Sequence, residues 1–250
     1  PIKTALGRSI RRAFIAGMPE GLLLAADYSQ IELRILAHLS GDPQLAEAFR
    51  LGHDIHRFTA SLIYGVPEAE VQPEQRHAMK AVNYGILYGM TAHGLSRELG
   101  TGIEDAQAFI DAYFQRYPAI RRYLDDQIAR ARRDGFVQTL LGRRRYVPEV
   151  NSEDPVLRQF GERIAVNAPI QGTAADIIKL AMVTLSARLK REGFKSRMIL
   201  QVHDELVFET PPAEREPLAG RVREVMEHAI ELSVPLRVTV KSGPNWLEMT

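Results

Sequence analysis

Met198-Ile199-Leu200-Gln201-Val202-His203-Asp204-Glu205-Leu206-Val207-Phe208 carries two apolar alternations separated by two polar residues. Met198, Leu200 and Val202 form one set, Leu206 and Phe208 the other, and only His203-Asp204 lies between the runs. Residues two apart share a face of a strand, so this spacing predicts a tight β-hairpin. His203-Asp204 is a poor choice for a two-residue turn, where Asn-Gly or Asp-Gly relieves the positive φ angles. A turn built against its own propensity points to a functional constraint.

Outward from the hairpin, Pro211 to Leu232 reads as an amphipathic helix, and Leu236, Val238 and Val240 alternate in a final strand. Upstream, Gly21 to Asp27 is a short apolar run ended by an acid and reads as a buried strand. Ile31, Ile35, Leu36 and Leu39 then recur at helical spacing until Gly41-Asp42-Pro43 stops them. A further helical region runs from about Asp154 to Arg191, interrupted near Pro169 and Gly172. With residues 41–160 set aside, the order is strand, helix, strand, strand, helix, strand, the split βαβ plan of a ferredoxin-like sheet. Residues 44–135 read as mainly helical, and Phe136 to Val147 as a hairpin turning near Gly142. The expected class is α+β: an antiparallel ferredoxin-like platform with a mostly helical insertion, forming two lobes and a cleft.

Composition narrows the setting. The chain has 250 residues, enough for one large domain or two lobes. It has no cysteine, which excludes disulfides and thiolate metal sites and fits a reducing, cytoplasmic interior. No run approaches the roughly 18 apolar residues of a membrane span. The start, Pro1-Ile2-Lys3-Thr4, lacks an initiating Met and reads as the cut edge of a longer chain. Net charge is only +1, but between Arg116 and Tyr146 nine Arg stand against Asp125, Asp126 and Asp134. Such a stripe suits phosphate or forms a solvated helix face, and charge alone does not choose.

Two features carry chemistry. Asp27 ends a buried strand and Asp204 sits at a hairpin tip, with Glu205 next to it. Taken singly, the first reads as a helix-initiating residue and the second as a polar turn. Brought together by the strand order, they could hold two divalent ions about 3.5–4 Å apart, for activating a 3′-hydroxyl and holding a leaving pyrophosphate. The second feature is Arg76, Lys80, Tyr84 and Tyr88, spaced four apart and followed by Gly89. On a helix they form a gently winding row about 18 Å long. Two cations and two aromatics in such a row suit a nucleoside triphosphate, with His56 and Arg57 as further phosphate contacts. The alternative is a surface helix whose basic stems pack along apolar neighbours.

These residues resemble a known family. Asp27-Tyr28-Ser29-Gln30-Ile31-Glu32-Leu33-Arg34 resembles motif A of family A DNA polymerases, the DNA polymerase I type. Arg76, Lys80, Asn83-Tyr84-Gly85 and Tyr88-Gly89 resemble motif B, and Gln201-Val202-His203-Asp204-Glu205 resembles motif C. Arg163, Asn167, Pro169 and Gln171-Gly172-Thr173 resemble a template-contact region. Four ordered motifs cover most of the chain.

The resemblance implies a palm in residues 1–40 and 161–250, with fingers and a connecting hairpin in residues 41–160. It implies template-directed DNA synthesis by a monomer acting on primer–template DNA and dNTP. Asp27 and Asp204 would bind two Mg²⁺ ions (Mn²⁺ substituting), with the Tyr28 carbonyl as a further ligand and Glu205 nearby. Arg76, His56, Gln30 and Lys80 would contact the triphosphate, and Lys80 would protonate the pyrophosphate. Glu32 would exclude a 2′-hydroxyl, and Tyr84 would lie against sugar and base. Tyr88, Gly89, Arg163, Asn167, Gln171 and His203 would hold the template and primer. A thumb and exonuclease domains, carried upstream by such polymerases, are not in this sequence, so low or absent activity in isolation is expected. A single-subunit RNA polymerase shares the acids and the Arg–Lys–Tyr-Gly helix, but Glu32 argues for deoxyribose. An inert binding module is a second alternative. A metal-dependent nuclease has no use for the Arg-Lys-Tyr-Tyr row.

Family members with Tyr at position 84 accept dideoxynucleotides readily. The same is expected here in a competition assay, and a strong preference for deoxynucleotides would refute it.

Overall fold

The computed structural model describes residues 4–250; the reading of Pro1-Ile2-Lys3 as a cut edge lies outside them. In chain order the elements are α1 (Ala5–Ala13), β1 (Leu22–Tyr28), α2 (Ile31–Ser40), α3 (Pro43–Leu51), α4 (Ile55–Tyr64) and α5 (Pro73–Leu87). There follow α6 (Ala92–Leu99), α7 (Ile103–Arg116), α8 (Pro118–Asp134), β2 (Phe136–Gln138) and β3 (Arg144–Tyr146). The chain closes with α9 (Pro155–Arg191), β4 (Arg197–Val202), β5 (Glu205–Thr210), α10 (Arg215–Glu227) and β6 (Val238–Gly243). Among the described residues no helix is long and apolar enough to cross a membrane.

Contacts divide the chain into two compact units. One contains the chain through Ile31, Ala175–Glu231 and Leu236–Thr250; the other contains Glu32–Ala174 and Leu232–Pro235. The first holds a four-stranded antiparallel sheet in the order β4-β5-β1-β6, the arrangement the strand sequence predicts. Leu24, Ala26 and Tyr28 alternate on one face of β1 and stand opposite Phe208 and Leu206 of β5. That face meets α10, where the Tyr28 hydroxyl donates to the Met226 carbonyl at 2.7 Å. Alternation therefore turns Asp27 to the opposite face, beside Glu205 in the β5 register.

The hairpin forms with His203-Asp204 as its two-residue turn and Val202 opposite Glu205. His203 takes φ of 55°, the strained geometry that the sequence implied for this turn. The alternation in β4 is not maintained, however. Met198 pairs with Phe208 and Leu200 with Val207, so Ile199 is the extra residue of a β-bulge. A one-residue slip exchanges faces, and Leu200 and Val202 consequently lie on the Asp27 face while Met198 does not.

In the helical unit, Gly41-Asp42-Pro43 both stops α2 and starts α3. Asp42 accepts from the backbone N–H groups of Gln44 and Leu45 at 3.1 Å, and Pro43 occupies the first helical turn. The β2–β3 hairpin turns at Gly142 with φ of 82°, where a side chain would be strained. Ala131, Val137, Val147, Val150 and Ala165 form a buried cluster beneath it.

Two expectations are corrected. The helix foreseen over Pro211 to Leu232 is confined to Arg215–Glu227, preceded by a 3₁₀ turn at Pro212–Glu214. The region from Asp154 to Arg191 is not interrupted: α9 runs through Pro169 and Gly172. Thr173 and Gly172 join this stretch of α9 to the β2–β3 hairpin. The Thr173 hydroxyl donates to the Pro169 carbonyl at 2.6 Å and accepts from the Leu140 backbone N–H at 3.0 Å. Gly172 lets Thr139 approach, since a Cβ there would stand 2.5 Å from the Thr139 side chain.

Thr173 is fully buried, so Thr173→Val would leave a carbonyl and an N–H without that partner. A loss of about 2 kcal/mol in unfolding free energy is expected. A denaturation midpoint equal to wild type would show that the hydroxyl does not hold this join.

Candidate active site

The sheet unit brings the two predicted acids together. Asp27 ends β1, and the Asp204 carbonyl accepts the backbone N–H of Tyr28 at 3.2 Å. Burial, then the charges of Asp204 and Glu205, then the closeness of the Asp204 side chain push Asp27 from 3.8 to about 7. Adjacent carboxylates cannot both ionise cheaply when partly removed from water, so Asp27 retains a proton. Glu205 is turned aside, its carboxylate accepting the Trp246 indole N–H at 2.9 Å. Among the described residues no three His, Asp or Glu side chains converge on one point. Two hard oxygen donors with an unmet negative charge still fit Mg²⁺, which phosphate-transfer sites hold by one or two carboxylates plus the substrate.

Backbone strain gathers beside this pair. Among the described residues only Glu20, Gln30 and His203 combine a side chain with positive φ. Gln30 lies three residues after Asp27, and His203 immediately precedes Asp204. Such conformations cost on the order of 1–3 kcal/mol each and persist where their surroundings impose them. His203 is exposed and its carbonyl accepts from Gln201 at 3.2 Å.

The helical unit gathers the second group. Arg76, Lys80 and Tyr84 lie along α5, and Tyr88 caps it. Arg76 is held by Asp54 at 2.8 Å, the same residue whose second oxygen caps α4 at His56 and Arg57. Arg57 donates through one guanidinium nitrogen to the carbonyls of Glu68 and Val71 at 3.0 Å. Lys80 is exposed and has no ion-pair partner among the described residues. His56 is buried against α5, 3.0 Å from Asn83 and 5.7 Å from the Tyr84 ring centre. Burial is the main cause that lowers its pKa from 6.5 to about 4; the Arg76 and Lys80 charges add to this and Asp54 opposes it.

Tyr84 and Tyr88 stack with ring centres 6.2 Å apart, and the Tyr88 hydroxyl donates to Glu32 at 2.6 Å. Gly89 has φ of 64°, and a Cβ there would stand 3.2 Å from the Arg163 side chain. Asn167 reaches the Tyr88 carbonyl at 3.5 Å. Arg163, Asn167 and Gln171 recur every four residues on α9, so Tyr88-Gly89 abuts the first two members of that row. Asp54, Asn83 and Trp246 are the partners that the sequence reading does not assign. For Asp54 alone a local signal exists, an acid two residues before His56 at a helix start.

The sequence profile of DNA polymerase family A matches residues 1–248. "DNA polymerase I, thermostable" of Thermus aquaticus is 53% identical over 248 residues, which are 99% of this chain and 29% of that protein. "DNA polymerase I" of Deinococcus radiodurans is 52% identical over 249 residues, 99% of this chain and 26% of its own length. The chain thus spans less than a third of these relatives. Among solved structures, the POL domain of Pol1 from M. smegmatis, in complex with DNA primer-template and dNTP, superposes with a TM-score of 0.95 at 48% identity. That match covers 100% of this chain and 44% of the other.

The folded chain binds a proton at Asp27 that the unfolded chain releases between pH 3.8 and about 7. Without divalent ions, stability from this group therefore falls as pH rises through that interval. Asp27→Asn is expected to match wild type near pH 4 and to exceed it at pH 8 in EDTA. With the group half exposed, the gain is discounted to about 1 kcal/mol. Equal melting curves at pH 8 would contradict the raised pKa of Asp27.

Proposed function

The chain belongs to DNA polymerase family A, and from that premise we propose that it carries the template-directed transfer of dNMP from dNTP to a primer 3′-hydroxyl. The observation that carries this reading is the Asp27–Asp204 pair, two carboxyls brought so close at the end of β1 and the β4–β5 turn that the Asp204 charge helps raise the Asp27 pKa. When bound at the two carboxylates and the Tyr28 carbonyl, Mg²⁺ or Mn²⁺ ions supply Lewis-acid activation of the hydroxyl and neutralise the pyrophosphate. Alternation is compatible with that carbonyl role, since the Tyr28 side chain is committed to Met226 on the other face. Glu205, fixed by Trp246, adds negative potential beside Asp27.

The α4–α5 residues hold the triphosphate. Arg76 grips phosphate through its planar fork, and Lys80, exposed and uncommitted to an ion pair, donates a proton to the leaving pyrophosphate. His56 and Gln30 add contacts, and Tyr84 lies against sugar and base. Glu32, pinned by Tyr88, occupies space that a ribose 2′-hydroxyl needs, so deoxyribose is selected. Tyr88, Gly89, Arg163, Asn167, Gln171 and His203 hold the primer–template. In this reading residues 1–40 and 161–250 serve as the palm and 41–160 as the fingers, acting as a monomer. The relatives' greater length supports a second reading of this chain in isolation, as a nucleotide-binding portion that needs a thumb for turnover.

Primer extension with Mg²⁺ tests both readings on the chain alone, on a fusion to a family thumb, and on that fusion carrying Asp204→Ala. The fusion is expected to extend, and Asp204→Ala to slow it on the order of a thousandfold. Extension surviving Asp204→Ala would overturn the metal assignment, and failure of the unmodified fusion would favour the binding-only reading.

A further inference from the structure

Glu205 stands directly opposite Asp27 in the β1–β5 register. Paired residues of an antiparallel sheet share a face, with Cβ atoms about 4.5–5.5 Å apart, so a glutamate has the length to turn toward Asp27. Instead one of its oxygens accepts the Trp246 indole N–H at 2.9 Å. The donating ring is held on several sides. The Arg11 guanidinium lies 4.4 Å from its centre, and Phe14 meets it edge-on with ring centres 5.4 Å apart. The Trp246 backbone N–H donates to the Phe14 carbonyl at 3.0 Å. Asn245 is 7% exposed and braces the turn that carries the ring, accepting from the backbone N–H groups of Leu247 and Glu248 at 3.1 and 3.0 Å. A cation over the ring face polarises the indole and strengthens its N–H as a donor to a carboxylate.

We propose that Trp246 is a positioning residue that withholds Glu205 from the Asp27–Asp204 pair, so that a divalent ion bound there keeps coordination positions for substrate oxygens. The inference rests on the reading of that pair as the metal site. Mg²⁺ demands near-octahedral geometry and is held by one or two carboxylates, the rest of its shell going to water and substrate phosphate. A third carboxylate would raise affinity for the ion and fill a position that the substrate needs. Among the described residues no three acids converge, and the indole bond is the contact that keeps Glu205 from being the third. A phenyl ring could pack against Arg11 and Phe14; the indole adds the donor that engages Glu205.

Trp246 is the chain's only tryptophan, so its indole N–H gives a single cross-peak in ¹H–¹⁵N NMR of the whole chain. In wild type at pH 8 that proton should lie downfield, as a carboxylate-bonded donor, and stay there when Mg²⁺ saturates the pair. Glu205→Gln should move it upfield. A wild-type peak that moves to the unbonded position with Mg²⁺ overturns the proposal, because Glu205 has then left the ring for the ion. This measurement needs no variant at the ring. Mn²⁺ binding to the whole chain, followed by electron paramagnetic resonance, is the second readout. Trp246→Phe should bind Mn²⁺ about fivefold more tightly, and adding Glu205→Gln should erase the gain. Loss of packing alone would not tighten binding. Equal affinity in wild type and Trp246→Phe, or a gain that survives Glu205→Gln, overturns the proposal. Asp204→Ala separates the two failures. If Asp204→Ala weakens Mn²⁺ binding while Trp246→Phe leaves it unchanged, only the role of Trp246 falls. If neither variant changes binding, the metal reading falls with it.

Discussion

The antiparallel register of β1 against β5 sets Asp27 across from Glu205 and within hydrogen-bond reach of Asp204. That juxtaposition is electrostatically unfavourable, and much of the sheet unit serves to impose it. Tyr28, one residue on, is anchored to α10 through its hydroxyl, which fixes the rotation of the strand end. The turn that carries Asp204 keeps His203 at positive φ, and Trp246 draws Glu205 aside. Two acids kept close at a standing cost are a receptor for positive charge.

The sheet was legible because its signals are short-ranged and periodic. Alternation located three strands and a short apolar run the fourth, and their order predicted the topology and the turn. The bulge at Ile199 was illegible because an apolar residue among apolar residues leaves no mark; only pairing with β5 exposes the slip. Pro169 and Gly172 misled for the converse reason. Both are local helix-breaking signals, and α9 continues through them because a single substitution-sized signal is outweighed by the packing of the whole helix, with Gly172 serving instead to admit the Thr139 side chain.

The site divides along the same line. Arg76, Lys80, Tyr84 and Tyr88 announced themselves through four-residue spacing. Their partners did not, because Asp54 reaches Arg76 across 22 positions, Asn83 reaches His56 across 27, and Trp246 reaches Glu205 across 41. Groups that touch a ligand are constrained in type and spacing and so leave patterns. The groups that orient them need only one suitable atom in one place, and many sequences satisfy that.

Asp54 has a consequence for selectivity. One oxygen caps α4 while the other binds Arg76, so the protein contains an occupant for its own guanidinium. Any anion that takes Arg76 must displace a tethered carboxylate, a half-exposed pair worth about 0.2–1 kcal/mol. On the proposed reading a triphosphate, unlike a monophosphate, would gain Lys80 as well as Arg76 and so offset the lost Asp54 contact. On that reading Asp54 would be a built-in competitor that sets a charge threshold, and added salt would lower it by weakening the tether.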